Sequence, residues 1–417
     1  MRVLWLAHAI PYPPKAGFLL RSYHLLKGLA RVYPVDLVAF VQRPWVNTLF
    51  PSFEAGLEES QRALEGVCSR VTFLPIDRTE RAWGKQRTAL EALLTGESYS
   101  GSWLVSQAAR DIIEKQVAGT RYDLVHFDTI GLAPYRSSIN GAARTLMHHN
   151  IESHMMLRRA DNASNPLAAA YFRHEGQLIG RLERTSAADF DAHITCSELD
   201  NDRLKQLIPG VAPVAIPNGV DCEFFAPHEA PHRPQSLIFV GTMNWYPNVD
   251  AVMFFLKEVW PLLKPKIPNL TFDVAGSNPP TALVELAKTL PGVTVHGYVD
   301  DVRPMIDSAA LFVCPIRDGG GTKLKILDAL AMKKCIVAHP IACEGIAVTS
   351  GKDIVFASTP ADFAREIERL LPDEPLRRSI GAAGRTLAEQ QYSFGAIGRS
   401  FAEFLGRTAS EHRPKQH

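Results

Sequence analysis

Three consecutive glycines, Gly319, Gly320 and Gly321, lead into Thr322, Lys323, Lys325 and Asp328, and this run is the part of the chain best suited to chemistry. Without a Cβ, glycine lets the backbone come close to a ligand, and a helix that follows aims unpaired N–H groups at whatever sits in the loop. That combination suits an anion, most simply the phosphates of a nucleotide. Lys323 and Lys325 place positive charge where the helix dipole favours negative charge, and a bound diphosphate would remove the conflict. Asp328, one to two turns further on, can accept hydrogen bonds from a ribose diol. A plain connection would not need the backbone entropy that three glycines cost.

The elements needed to hold such a loop are legible around it. Leu311–Pro315 reads as a buried strand, Asp318–Thr322 as a turn, Lys323–Met332 as a helix and Cys335–His339 as a second strand, one right-handed βαβ unit. Further strands are expected at Val3–His8, Val35–Phe40, Val71–Pro75, Leu124–Phe127, Ala143–His148 and Ala192–Ser197, then at Leu237–Val240, Leu270–Ala275 and Val293–His296. Helical spacing marks Phe18–Ala30, Ala89–Leu94, Val105–Gln116, Pro166–Thr185, Val249–Leu263, Leu283–Thr289 and Ala382–Leu405, with a polar SYSGS break after Leu94. Alternating strands and helices imply an α/β protein with parallel sheets covered on both faces. The expected organisation is two Rossmann-like domains, residues 1–198 and 199–388, facing across a cleft. Residues 389–417 form a C-terminal helix packing back toward the first domain, with a loose tail from Thr408. Lys15-Ala16-Gly17 would be the first domain's own glycine loop.

Bulk properties permit this. The 417 residues, 46% of them hydrophobic, supply two ordinary cores. A net charge of +1 gives no global attraction to nucleic acid, so no nucleic-acid partner is expected. The six cysteines lack CxxC spacing and lie mostly in apolar runs, as small core residues of a reducing compartment do. The apolar start is too short for a signal peptide and meets Pro11 at once, and no run reaches the ~18 apolar residues of a membrane span. The expected location is the cytoplasm, up to the inner face of the membrane.

Several stretches carry a resemblance: YPPKAGFLLRSYHLLKGLA, YDLVHFDT, HHNIES, HITCSELD, IPNGVD, FVGTMNWYPNVDAV, GYVDDVRP and DGGGTKLKILDALAM…CEGI. Together they resemble retaining nucleotide-sugar glycosyltransferases of the GT-B fold, family 4 (group 1), nearest the branch associated with bacterial exopolysaccharide. The resemblance implies transfer of a sugar from a nucleotide diphosphate sugar to an acceptor hydroxyl, on a glycan or lipid-linked saccharide, with retention at the anomeric carbon. By position, Asp328 takes the ribose-holding role of the second glutamate of the family's paired motif, and Gly320 stands where the first would be. The family's diphosphate-gripping Arg and Lys fall on Thr242 and Pro247, after Gly241, so Lys323 and Lys325 become the substitutes. Tyr298 and Val299 match the loop that meets the base, and Asp128 stands where many relatives have a histidine near the reacting sugar. Gly17, Arg21, His149, Asn150 and Glu183 match other cleft-side positions. Asp128 and His149 are thus the catalytic candidates. The donor-binding set is Gly17, Gly241, Tyr298, Val299, Gly319, Gly320, Gly321, Thr322, Lys323, Lys325 and Asp328. With no carboxylate identified beneath the anomeric carbon, the leaving diphosphate is expected to help deprotonate the acceptor. No metal or other cofactor is required, since lysines and loop N–H groups stabilise the departing charge.

Other readings compete. Asp189-Phe190-Asp191 has the D-x-D form of a metal motif but runs straight into a buried strand. His148, His149, Glu152 and His154 fit no common zinc spacing. Asp128 could simply cap the next helix. Lys333-Lys334 reads as a solvated helix C-terminus. Trp83, Lys85, Arg87, Arg158 and Arg159 could give a weak peripheral membrane contact. A nucleotide-sugar epimerase of the same architecture and an inactive sugar-nucleotide binder are the alternative functions.

Overall fold

The structure, a computed structural model, describes residues 1–15, 17–76, 83–163, 165–228, 232–319 and 322–412, apart from the side chains of Lys85 and Leu93. Ala16, Gly320 and Gly321 therefore lie outside the described residues, as does the Lys85 side chain. Two compact units divide the chain: Met1–Pro217 with Ile397–His417, and Asn218–Ala396.

The first unit is built on seven parallel strands: β1 Val3–Ala7, β2 Val35–Val41, β3 Arg70–Pro75, β4 Leu124–Phe127, β5 Ala143–Met147, β6 Ala192–Thr195 and β7 Val214–Ala215. They lie side by side in the order β3-β2-β1-β4-β5-β6-β7. Two-sided burial explains why β1 is apolar throughout. Val3, Trp5 and Ala7 enter one hydrophobic cluster, while Leu4 and Leu6 enter the cluster on the opposite face. The first cluster also takes Leu25, Leu26 and Leu29 from the helix Gly17–Ala30, and Ile397, Phe401 and Leu405 from the helix Phe394–Glu411. The rings of Trp5 and Phe401 lie 5.8 Å apart, edge to face.

The domain boundary expected at 198/199 falls instead at Pro217/Asn218. Ser197 caps the helix Glu198–Leu207 by accepting from the Asp200 N–H, and the chain then returns to add β7 to β6 in parallel. β7 is only two residues long, too short for a periodic signal. The expected Ala382–Leu405 helix is also corrected. Helix Glu374–Leu387 passes through a π-helical stretch, Ala388–Tyr392, to an extended Ser393, and a new helix starts at Phe394. The SYSGS break contains a helical turn, Tyr99–Ser102, whose Ser98 hydroxyl accepts from the Gly101 N–H.

The second unit has six parallel strands: β8 Arg233–Val240, β9 Thr271–Ala275, β10 Val293–Gly297, β11 Ala309–Cys314, β12 Ile336–Ala338 and β13 Val355–Phe356. Their order is β10-β9-β8-β11-β12-β13. One cluster spans this unit, from Phe239, Phe255 and Phe272 to Ile326, Leu330 and Phe363. Cys68, Cys196, Cys314, Cys335 and Cys343 are buried, Cys222 is half-buried, and all six are free thiols. Among the described residues, no helix is long and apolar enough to cross a membrane.

Candidate functional site

In each sheet the strand order changes direction at one place, between β1 and β4 and between β8 and β11. Chain leaving the carboxyl ends of two such strands diverges to opposite faces, which opens a crevice where open α/β sheets bind ligands. Both groups of candidate residues stand at these places.

At the second switch point, Gly241 and Thr242 follow β8, and the Gly319 turn follows β11. Gly319 adopts φ +102°, and an added Cβ would meet the Trp245 ring at 2.9 Å and Pro247 at 3.0 Å. Packing against Trp245 therefore demands glycine here as firmly as any ligand would. Asp318 pins the turn, accepting from its neighbour's N–H at 2.7 Å and from the Tyr246 hydroxyl at 2.5 Å. The helix is slightly shorter than expected, Leu324–Ala331, with Lys323 as its N-cap residue. Neither lysine is a plain surface charge. Lys323 Nζ is buried and donates to the Gly319 carbonyl at 2.5 Å. Lys325 Nζ donates to Asn248 Oδ1 at 2.5 Å. Both ammonium groups crowd the Trp245 ring, at 6.0 and 5.7 Å from its centroid. Burial pushes Lys325 down to about 8, against weaker raising effects from Cys314 and Asp328. Gly241 is held by the same group: a Cβ there would lie 2.8 Å from Lys325 Nζ.

Two polar groups at this place are without hydrogen-bond partners among the described residues. The buried Thr322 hydroxyl makes no hydrogen bond, and the Asp328 carboxylate accepts none among the described residues. Burial raises Asp328 to about 7, with Lys325 opposing it. Two gathered cations, an open hydroxyl and an open carboxylate beside a helix N-terminus can together bind a polar anion carrying hydroxyl groups. Thr242 bonds to Ser277 and gives its carbonyl to Asn248. Tyr298 and Val299 follow β10 at the same end of the sheet, with Tyr298 74% exposed.

At the first switch point the structure brings Asp128 and His149 together, with two residues that the sequence analysis passed over. Asp128, just past β4, is buried and accepts from the Ser22 hydroxyl at 2.8 Å. His149 Nε2 lies 3.2 Å from its Oδ1, and His8 Nδ1, just past β1, lies 3.5 Å from its Oδ2. The side chain of Asp128 thus faces two imidazoles and caps no helix. Burial alone would raise this carboxyl, yet His149 and His8 outweigh it and hold it well below the usual carboxylate range. A histidine directly after the first strand was the available signal for His8.

Remaining candidates have structural partners. Gly17 is exposed and opens the helix Gly17–Ala30. Buried Arg21 donates to the carbonyls of Ile216 and Pro217, securing the chain just after β7. His148 faces His193 at 3.1 Å, Asp189 pairs with Arg136, and Asp191 accepts from the Arg144 N–H. Lys333 is exposed, but Lys334 corrects the solvated-terminus reading: it is buried and donates to the carbonyls of Asp307 and Ala309. Glu183 joins the helices Glu152–Asp161 and Pro166–Ser186, accepting from the Glu152 N–H and the Ser153 hydroxyl. Burial lifts its carboxyl from 4.5 to about 7. A raised folded-state value adds stability at low pH that is lost as pH climbs through 7. Glu183→Gln is therefore expected to flatten the loss of stability between pH 5 and pH 8 by about 2 kcal/mol. Denaturant titrations at the two pH values check this.

Residues 234–373 match the family model described as Glycosyl transferases group 1. Across the whole chain, the fold is similar to sucrose-phosphate synthase of Thermosynechococcus elongatus, at 14% identity and TM-score 0.68 over 99% of this chain and 100% of that one. It is also similar to HepE of Anabaena, solved with UDP, at 14% identity and TM-score 0.66 over 98% of this chain and 100% of that one. The architecture is thus that of GT-B glycosyltransferases, and the matched residues 234–373 include the lysine-rich switch point. Among curated proteins, the chain is 22% identical over 240 residues to an uncharacterized 44.6 kDa protein in the cps region of Klebsiella pneumoniae, covering 55% of this chain and 60% of that protein.

Proposed function

We propose that the protein transfers a sugar from a nucleoside diphosphate sugar to an acceptor hydroxyl, with retention, in the synthesis of cell-surface or exopolysaccharide glycans. One observation carries this reading: the paired lysines, the unpartnered Thr322 hydroxyl and the unpartnered Asp328 carboxylate meet at the switch point of the transferase domain. Lys323 and Lys325 face the diphosphate, and Asp328 holds the ribose diol. Gly241 and the Gly319–Thr322 turn let the backbone approach, and Tyr298 and Val299 meet the base. Asp128 and His149 serve the reacting sugar. The departing diphosphate takes the acceptor proton, and the lysines stabilise its charge without a metal ion. Support for the donor class comes from HepE, solved with UDP. The cps-region relative supports a role in surface polysaccharide. The acceptor in this reading is a glycan or lipid-linked saccharide at the cytoplasmic face of the membrane.

The test is mass spectrometry of the chain incubated with UDP-, GDP-, ADP- and dTDP-sugars, with and without lipid-linked acceptors. Release of free nucleoside diphosphate together with a sugar-extended acceptor is expected only where both substrates are present. Conversion of the donor to its epimer without an acceptor would replace this reading with an epimerase. Tight donor binding with no product in any mixture would leave a binding protein.

A further inference from the structure

His8, Asp128 and His149 converge from the carboxyl ends of β1, β4 and β5, three neighbouring strands of one rigid sheet. One ligand-type atom from each, an imidazole nitrogen or a carboxylate oxygen, lies within 4.8 Å of the other two. From these positions we propose that the first unit binds a divalent first-row transition metal ion, with zinc as its best match, through His8 Nδ1, the Asp128 carboxylate and His149 Nε2.

Three observations carry the site. The first is spacing. Zinc takes nitrogen and oxygen ligands at about 2.0–2.2 Å, so neighbouring ligand atoms in a tetrahedron sit about 3.4 Å apart. His149 Nε2 stands 3.2 Å from Oδ1 of Asp128 and His8 Nδ1 3.5 Å from its Oδ2, and ligand atoms of all three residues lie within 4.8 Å, so a shift of about 1 Å drawing the imidazoles together completes the set. The second is charge. Asp128 is 1% exposed, and its ion-pair partners among the described residues are the two imidazoles alone. A buried carboxylate without a permanent cation costs several kcal/mol, and a divalent ion removes that deficit. The third is an unused donor atom. His8 Nδ1 is buried and makes no hydrogen bond, because its 3.5 Å approach to Asp128 misses hydrogen-bond geometry. Ser22 donates to Oδ2 of the carboxylate and fixes its orientation, as outer partners of metal ligands do.

Two imidazoles and one carboxylate select zinc, iron, cobalt or nickel over magnesium and calcium, which favour oxygen alone. Three protein ligands leave a coordination position for a water molecule or an acceptor hydroxyl. This inference replaces direct contact of Asp128 and His149 with the reacting sugar by contact through the metal's open position, and it is independent of the lysines proposed to hold the donor diphosphate.

Equilibrium dialysis of the full chain against zinc chloride, with elemental analysis, tests it alongside cobalt chloride titration in the visible range. One equivalent of metal per chain is expected, with the intense absorption of four-coordinate cobalt. His8→Ala and His149→Ala should each weaken binding by 100-fold or more, while His154→Ala leaves it unchanged. All three variants should still bind UDP, whose site lies in the other unit. Absence of stoichiometric metal in the parent chain, or equal affinity in both ligand variants, overturns the site whatever the donor assays return. Should the ligand variants fail to fold, the parent's cobalt spectrum decides, and a weak six-coordinate spectrum rejects the proposal.

Discussion

Replacing Asp328 with alanine is expected to raise the donor KM by about 10- to 100-fold, the equivalent of losing one or two hydrogen bonds to a charged acceptor worth about 1–3 kcal/mol. The expectation rests on an unusual state of the free protein. Asp328 is half-buried on the first helix after the Gly319 turn, accepts no hydrogen bond among the described residues, and sits near pH 7 because burial disfavours its charge. A carboxyl raised in this way gives the fold nothing at alkaline pH, where it is charged. Its removal should leave thermal stability at pH 8 unchanged or higher, while donor affinity collapses. The same reasoning sets a pH dependence. The ionised form is the better acceptor for a diol, so donor affinity of the parent should rise as pH passes from 6 to 7, before Lys325 begins to lose its charge toward 8, and Asp328→Asn should lose that rise. Steady-state kinetics with UDP-sugars beside thermal melts separates the two effects. A KM equal to the parent's would move the ribose elsewhere.

The largest loss of stability is expected from Gly381→Ala. Gly381 lies inside the helix Glu374–Leu387, where alanine would ordinarily be favoured by about 1 kcal/mol. Here the added Cβ would stand 2.0 Å from the Lys333 carbonyl oxygen and 2.8 Å from its carbon. Backbone atoms at that range cannot swing aside, and overpacking costs of about 1–3 kcal/mol or more outweigh the helix gain. Lys333 is itself in the left-handed region, at φ +54°, closing the helix that carries Lys325 and Asp328. The variant should therefore lose donor affinity together with stability. Gly119→Ala is the matched control: its Cβ would meet nothing within 4 Å, and stability should hold or improve. Thermal melts of both variants decide it.

What the sequence made legible follows from burial. Strands covered on both faces are apolar without interruption, so β1 and β11 stand out, and the regular alternation of strands with helices gives the α/β class. The Gly319 turn and its lysines were visible because they join a strand to a helix within a few residues. What stayed hidden depends on partners distant in sequence. His8 and Asp128 lie 120 positions apart and meet only because β1 pairs with β4. Lys334 looks like a solvated charge until the carbonyls of Asp307 and Ala309 are seen around it. Nothing in the residues of β7 tells which sheet they join, and their pairing with β6 is seen only in the fold, so the boundary was placed too early.

The first unit is assembled from two separated pieces of chain, and this governs how it can be made. Phe401 reaches Trp5, and the Gly28 and Gly398 backbones pack so closely that a methyl on Gly28 would come within 2.7 Å of the Gly398 Cα. A ribosome releases residue 217 long before residue 397, so the nascent sheet waits with part of one apolar face, the part that Ile397, Phe401 and Leu405 cover, exposed while the whole second unit is synthesised. Truncating a recombinant chain ahead of Ile397 would make that transient exposure permanent. The expected product is aggregated, and supplying the closing helix as a separate peptide, or fusing it by a short linker after Pro217, should recover soluble material.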